Sequence, residues 1–156
     1  GYNCLITLEK SAITGENELK GKTIATEAGT SSAAYLEGLT GEFGPFKVLG
    51  YDDKQTMFLD LENGRVDVVA SGVMDAILEM KDNPGYFKIV ATSDDNYMIA
   101  GAVRTGDPIK DVFNKGLNSM KEDGTLAQLY KDNMGIDVPE NAQFINVFTE
   151  PYVPTT

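Results

Sequence analysis

The chain alternates between short apolar runs and longer segments whose apolar residues recur at helical spacing. The short runs, rich in apolar and β-branched residues, predict strands at Cys4–Leu8, Thr23–Thr26, Phe46–Gly50, Val66–Ala70, Phe87–Ala91 and Tyr97–Val103. The longer segments predict a helix beginning at Thr30–Ser32, helices over Lys54–Asn63 and Val73–Lys81, one from Pro108 that Gly124 ends, and one over Thr125–Met134. Strands that alternate with helices favour an α/β fold with a mostly parallel sheet.

The residues that most specifically indicate a ligand site lie in the turn between the second strand and the first helix, from Glu27 to Ser32. Gly29 lets a ligand approach the backbone, and a helix start offers N–H groups and the positive end of the helix dipole. The hydroxyls of Thr30, Ser31 and Ser32 can donate to a carboxylate or phosphate. The same residue types also serve as ordinary helix caps, and the sequence leaves both interpretations open.

Charge and composition narrow the classes of function. The 156 residues include 13 Lys and Arg, 24 Asp and Glu, and no His, which gives a net charge of −11. An acidic chain lacks the basic face that nucleic acids and anionic membranes require, so neither is predicted as a partner. The lack of histidine removes His-assisted nucleophiles and His-ligated metals.

Other sites are disfavoured by spacing. The run Gly15–Thr23 ends in Gly-Lys-Thr, but its first glycine is misplaced for a phosphate-binding loop. The acidic clusters, at Asp52-Asp53, Asp60/Glu62 and Asp94-Asp95, do not have the pattern of a calcium loop. We therefore predict no metal and no cofactor. Cys4 is expected to be a buried small residue. No run reaches the roughly 18 apolar residues of a membrane span, and no signal peptide opens the chain, which is expected to be a mature form, a cytoplasmic protein or an excised piece.

The order of five short motifs resembles the extracellular solute-binding proteins of amino-acid ABC importers (family 3), which have the two-lobed type II periplasmic binding fold. The motifs are Leu19–Ala25 (LKGKTIA), Gly29–Leu36 (GTSSAAYL), Asn63–Val69 (NGRVDVV), Ala102–Pro108 (AVRTGDP) and Glu122–Tyr130 (EDGTLAQLY). The resemblance covers about Leu19–Gly135. It implies one lobe of that fold, with a mostly parallel five-stranded sheet flanked by helices and followed by C-terminal helices.

The resemblance also implies a ligand site. The residues it assigns to the ligand are Glu27, Gly29, Thr30, Ser31, Ser71 and Gly72. Thr30 and Ser31 fall on positions that hold the ligand's α-carboxylate, and Glu27 on one that reaches its side chain. Gly72 stands where the family has an aspartate for the α-amino group, and Ser71 is its neighbour. Either Glu27 supplies the missing charge or the ligand is not a standard amino acid.

The family's chain extends before the point where Gly1 aligns, so the resemblance implies lobe two without most of lobe one. Residues 1–105 are expected to form the lobe with two lobe-crossing strands, 106–135 the helices that normally pack on lobe one, and 136–156 an irregular tail. The helices carry an apolar face that would lose its partner, and we expect it to promote a homodimer. That face comprises Val112, Phe113, Leu117 and Met120.

The resemblance predicts capture of an amino acid or related small polar carboxylate without chemistry, outside the cytoplasm, with the membrane subunits of an ABC transporter as partners. One alternative is a ligand-sensing module of a receptor kinase or a glutamate-receptor-like channel. Another is an enzyme that resembles cyclohexadienyl dehydratases, for which Glu27 is the one obvious catalytic acid. The leading prediction is a binding protein and not an enzyme.

Overall fold

A computed structural model describes residues 1–94, 100–135 and 137–138. Its internal contacts divide the chain into two units, Gly1–Ile99 and Ala100–Thr156, and each is described by itself. The predicted division into 1–105, 106–135 and 136–156 stays a prediction.

In its described residues, the first unit is built on one sheet of five strands in the order β3-β2-β4-β1-β5. The strands are β1 Asn3–Leu8, β2 Thr23–Glu27, β3 Lys47–Tyr51, β4 Val68–Gly72 and β5 Phe87–Thr92. β2 pairs in parallel with β3 and β4, whereas β1 is antiparallel to both β4 and β5. Four strands therefore run in one direction and β1 in the other, which confirms the α/β fold with a mostly parallel sheet.

Three helices cover the two faces of this sheet: α1 Ser31–Phe43, α2 Lys54–Glu62 and α3 Val73–Asp82. Alternate residues of a strand point to opposite faces, so neighbours such as Leu5 and Ile6 belong to different apolar clusters. Leu5 packs in a cluster with Leu36 of α1, and Ile6 in one with Met57 of α2. Each such side chain is almost fully buried, and burial of one stabilises the fold by about 1.5–3 kcal/mol.

Two predicted strands differ from the structure. Val66–Ala70 was expected, but β4 spans Val68–Gly72, because Asp67 serves the turn before the strand. The side chain of Asp67 accepts a hydrogen bond from the amide of Thr23 at 2.8 Å, and its own amide donates to the Thr23 carbonyl at 2.8 Å. Of the predicted strand Tyr97–Val103, residues 97–99 lie outside the described residues, and residues 100–103 form no strand.

The described part of the second unit contains α4 Ile109–Glu122 and α5 Thr125–Met134. Gly124 separates them at φ 80°, a left-handed conformation that glycine adopts readily. On α4, Val112 and Phe113 are 65% and 63% exposed, whereas Leu117 and Met120 are half-buried. Within the described residues, no helix combines the length and apolar character needed to cross a membrane. The predicted irregular tail lies outside the described residues, except for residues 137–138.

Candidate functional site

Three helices begin at one edge of the sheet. Because β2, β3 and β4 point the same way, their carboxyl ends meet there, and α1, α2 and α3 follow them directly. A cavity of about 140 Å³ lies at this edge, and we call it the edge pocket. It is lined by Glu27, Thr30, Ser31, Ser32, Lys54, Ala70, Ser71, Gly72 and Asp75. Five of the six residues assigned from the sequence thus lie together, and Gly29 is not among the lining residues.

Thr30 caps α1. Its hydroxyl oxygen accepts from the amide of Ala33 at 3.4 Å, and its hydroxyl hydrogen goes to the carbonyl of Glu27 at 2.7 Å. A hydroxyl has one hydrogen to donate, so in this state the Thr30 side chain stabilises the helix start and does not face a ligand with a free donor. Its predicted role in holding a carboxylate stays a prediction. Gly29 has φ 73°, and a Cβ there would meet no atom within 4 Å. The turn thus requires glycine for its conformation.

The two serines that follow are held by Asn3, a residue that sequence analysis missed. The hydroxyls of Ser31 and Ser32 donate to Asn3 Oδ1 at 3.1 and 2.9 Å. Asn3 is only 7% exposed, and its backbone N–H donates to Ser93 Oγ at 3.0 Å. The first turn of a helix has no internal acceptor for its leading N–H groups. The backbone amides of Ser31 and Ser32 are therefore the donors that this helix start presents to the edge pocket.

Lys54 and Asp75, which also line the edge pocket, form an ion pair that the sequence did not reveal. Gly72 precedes α3 and supplies no side chain, but Asp75 lies in the first turn of that helix. Its Oδ1 is 2.8 Å from Nζ of Lys54, and Ser71 Oγ donates to its Oδ2 at 3.4 Å. The sequence did carry a signal for Asp75: it lies three residues after the end of a strand, in the first turn of a helix, where acidic residues are preferred.

The carboxylate of Asp75 also acts on Cys4. Burial raises the pKa of the Cys4 thiol to about 12, and the negative charge of Asp75 adds to the shift. The thiol is fully buried, which confirms the expected buried cysteine. It stays protonated near neutral pH, and a protonated thiol is a poor nucleophile.

The charged groups of the edge pocket are two carboxylates, Glu27 and Asp75, and one ammonium, Lys54. Three helix starts add the positive ends of their dipoles. The pocket therefore offers backbone donors for an anionic group and carboxylates for a cationic one, a combination that suits a zwitterion. Over the described ranges, no three acidic or cysteine side chains cluster as metal ligands would.

Comparison with known proteins finds amino-acid-binding proteins among those similar to this chain. No family model matches the chain. The ABC transporter arginine-binding protein 1 of Escherichia coli is 34% identical over 72% of the chain and 47% of its own length. The putative arginine-binding protein 2 of the same organism is 29% identical over 82% of the chain and 54% of its own length. The chain thus spans about half the length of the curated relatives it matches.

Solved structures agree on the architecture. A structure described as an ancestral arginine-binding protein bound to glutamine superimposes with a TM-score of 0.72 at 28% identity, over 86% of this chain and 60% of that one. The chain therefore has the fold of one lobe of a type II periplasmic binding protein, as predicted. Its relatives are amino-acid-binding proteins of ABC transporters.

Proposed function

We propose that this chain binds an amino acid or a related small polar carboxylate, as the solute-binding component, or part of it, of an ABC importer. The observation that carries the proposal is the edge pocket, which is lined both by the first-turn residues Ser31 and Ser32 of α1 and by Asp75 with its carboxylate. The names of the relatives support the ligand class, since they specify arginine and cystine. The similar structure that is bound to glutamine extends the proposed ligand class to a neutral amino acid.

In the proposed complex, the ligand's α-carboxylate accepts hydrogen bonds from the amides of Ser31 and Ser32. Hydrogen bonds to a charged group are worth about 1.5–3 kcal/mol each, and the dipole of α1 favours an anion at this position. The cavity of about 140 Å³ is similar in volume to an engineered protein cavity of about 150 Å³ that binds benzene. It holds the head of an amino acid, and a long side chain extends out of it.

The rest of the binding site belongs, in this proposal, to a first lobe that closes over the edge pocket. This chain is then the second lobe, with α4 and α5 as the helices that pack on the first. The proposed setting is outside the cytoplasm, and the partners are the membrane subunits of the transporter. Capture and release need no bond making, so we propose no enzymatic activity.

The test of this proposal removes one backbone donor, the amide of Ser31. Ser31 is the first residue of α1, where proline is well tolerated. Thr30 before it has ψ 169°, the extended conformation that a following proline requires. The variant Ser31→Pro removes hydroxyl and amide together, and Ser31→Ala removes the hydroxyl alone. The difference between the two therefore isolates the amide.

We expect the wild-type chain to bind at least one of L-arginine, L-glutamine and L-cystine by isothermal titration calorimetry. Ser31→Ala should bind nearly as well, because Asn3 already engages that hydroxyl. Ser31→Pro should lose about ten- to a hundredfold in affinity. Equal affinity of the proline and alanine variants would show that the carboxylate does not use this amide. A wild-type chain that binds none of the three would contradict the proposed function.

A further inference from the structure

Within the edge pocket, the ion pair of Lys54 and Asp75 suggests how the site recognises a ligand's positive charge. Gly72 offers no side chain, so the carboxylates that line the pocket are Glu27 and Asp75. Of these, Asp75 already holds an ammonium group, with Nζ of Lys54 at 2.8 Å. An alkylammonium thus fits against Asp75 in the space that the pocket provides.

The ion pair of Lys54 and Asp75 can be broken at a small cost in free energy. The side chains of Lys54 and Asp75 are 47% and 33% exposed, and solvent-accessible ion pairs contribute little to stability. Lys54 begins α2, where the positive end of the dipole disfavours a cation, whereas Asp75 lies in the first turn of α3, where an anion is favoured. The helix dipoles therefore stabilise the aspartate of this pair and not the lysine, so the lysine is the member that we expect a ligand to displace.

Asp75 is also held in place without Lys54. Ser71 Oγ donates to its second oxygen, Oδ2, at 3.4 Å. The lysine contact uses Oδ1. Ser71 is the residue before the last in β4 and pairs with Cys4 of β1, so this support is part of the sheet. Departure of the lysine would leave a positioned carboxylate and not a mobile one.

We propose that Asp75 receives the ligand's α-ammonium in place of the acid that Gly72 lacks, and that Lys54 is the built-in competitor which the ligand displaces. This inference rests on the proposed function, because it assigns a role within the same pocket. It has a distinctive consequence. Removal of Lys54 should strengthen binding of an amino acid, whereas a lysine that contacts the ligand's carboxylate would weaken binding when removed.

The experiment measures affinity by titration calorimetry for two matched pairs of probes. L-arginine is paired with 5-guanidinopentanoate, and L-glutamine with glutaramate, the second of each pair lacking only the α-ammonium. The variants are Asp75→Asn and Lys54→Met, with Asp82→Asn as the control. Asp82 lies at the other end of α3 and is exposed, so its substitution makes the same charge change on the same helix away from the pocket.

We expect Asp75→Asn to weaken binding of the amino acid about tenfold or more, with little change for the partner probe that lacks the ammonium. Lys54→Met should tighten binding of the amino acid by up to about fivefold, the range of an exposed ion pair. Asp82→Asn should bind like wild type.

Two results would overturn the inference while leaving the proposed function intact. One is wild-type affinity for the amino acid in Asp75→Asn, and the other is weaker binding of both members of a pair in Lys54→Met. Absence of binding by all four probes and by L-cystine, in wild type and in Lys54→Met, would instead overturn the proposed function and this inference with it.

Discussion

Asn3 is expected to stabilise the start of α1, and its removal provides a quantitative test of the site's construction. In Asn3→Ala, the hydroxyls of Ser31 and Ser32 lose their common acceptor. Ser31 is exposed and can turn to water, but Ser32 is only 4% exposed. A buried polar group without a partner costs about 1–3 kcal/mol. We therefore expect the free energy of unfolding to fall by about that amount.

The measurement is urea unfolding of the full chain, followed by circular dichroism, for wild type, Asn3→Ala, Ser32→Ala and the double variant. When both partners are absent, no buried hydroxyl remains unsatisfied, so the double variant should cost less than the sum of the single ones. Asn3→Asp keeps the acceptor oxygen and serves as the matched control. A cost below about 0.5 kcal/mol for Asn3→Ala, or strictly additive costs, would refute the account.

Four further predictions follow from individual residues. Thr30→Ala should cost about 0.5–2 kcal/mol of stability in urea unfolding and Thr30→Ser much less, because the capping hydroxyl is lost only in alanine; equal costs would contradict this. Cys4 should resist iodoacetamide at pH 8 in the native chain and react after unfolding, since burial raises its pKa to about 12; fast native labelling would be inconsistent. Hydrogen bonding from Tyr51 lowers the pKa of Asp60. The stabilising contribution of Asp60 is therefore present above the ordinary aspartate pKa near 4 and is lost as pH falls through the lowered value. Asp60→Asn should reduce the loss of unfolding free energy on acidification, and an unchanged loss would contradict this. Phe113→Glu should reduce self-association measured by light scattering, and a wild-type chain that is monomeric at high concentration would disprove the predicted dimer.

Much of the fold could be predicted because the determinants are local. The parallel strands, the helix starts and the glycine turns each follow from a few neighbouring residues. The bounds of β4 could not be predicted, because Val66 belongs to the same short apolar run as the strand residues Val68 and Val69. The contact of Asp67 with Thr23, 44 residues earlier in the chain, and the hydrogen bond from the amide of Val66 to the carbonyl of Asp60 assign both residues to the preceding turn.

The candidate site was predictable on one side and not on the other. Glu27 and the helix start after it form one continuous run in the sequence, so their proximity needed no tertiary information. Asn3 joins them only because β1 is antiparallel to β4, which places Asn3 opposite Gly72 in the sheet. Asp75 joins them because β4, which leads into α3, pairs in parallel with β2. Lys54 reaches Asp75 only because α2 and α3 begin at the same edge. Such through-space pairs depend on strand order, which no local pattern encodes.

The most direct test of the central claim is a titration of the ¹⁵N-labelled full chain with L-arginine, L-glutamine and L-cystine, followed by amide chemical shifts. Ligand capture at the edge pocket predicts saturable shifts concentrated on the amides of Ser31, Ser32 and Gly72. Shifts that do not saturate with any of the three ligands, or that are confined to α4 and α5, would contradict the claim that this edge of the sheet binds amino acids.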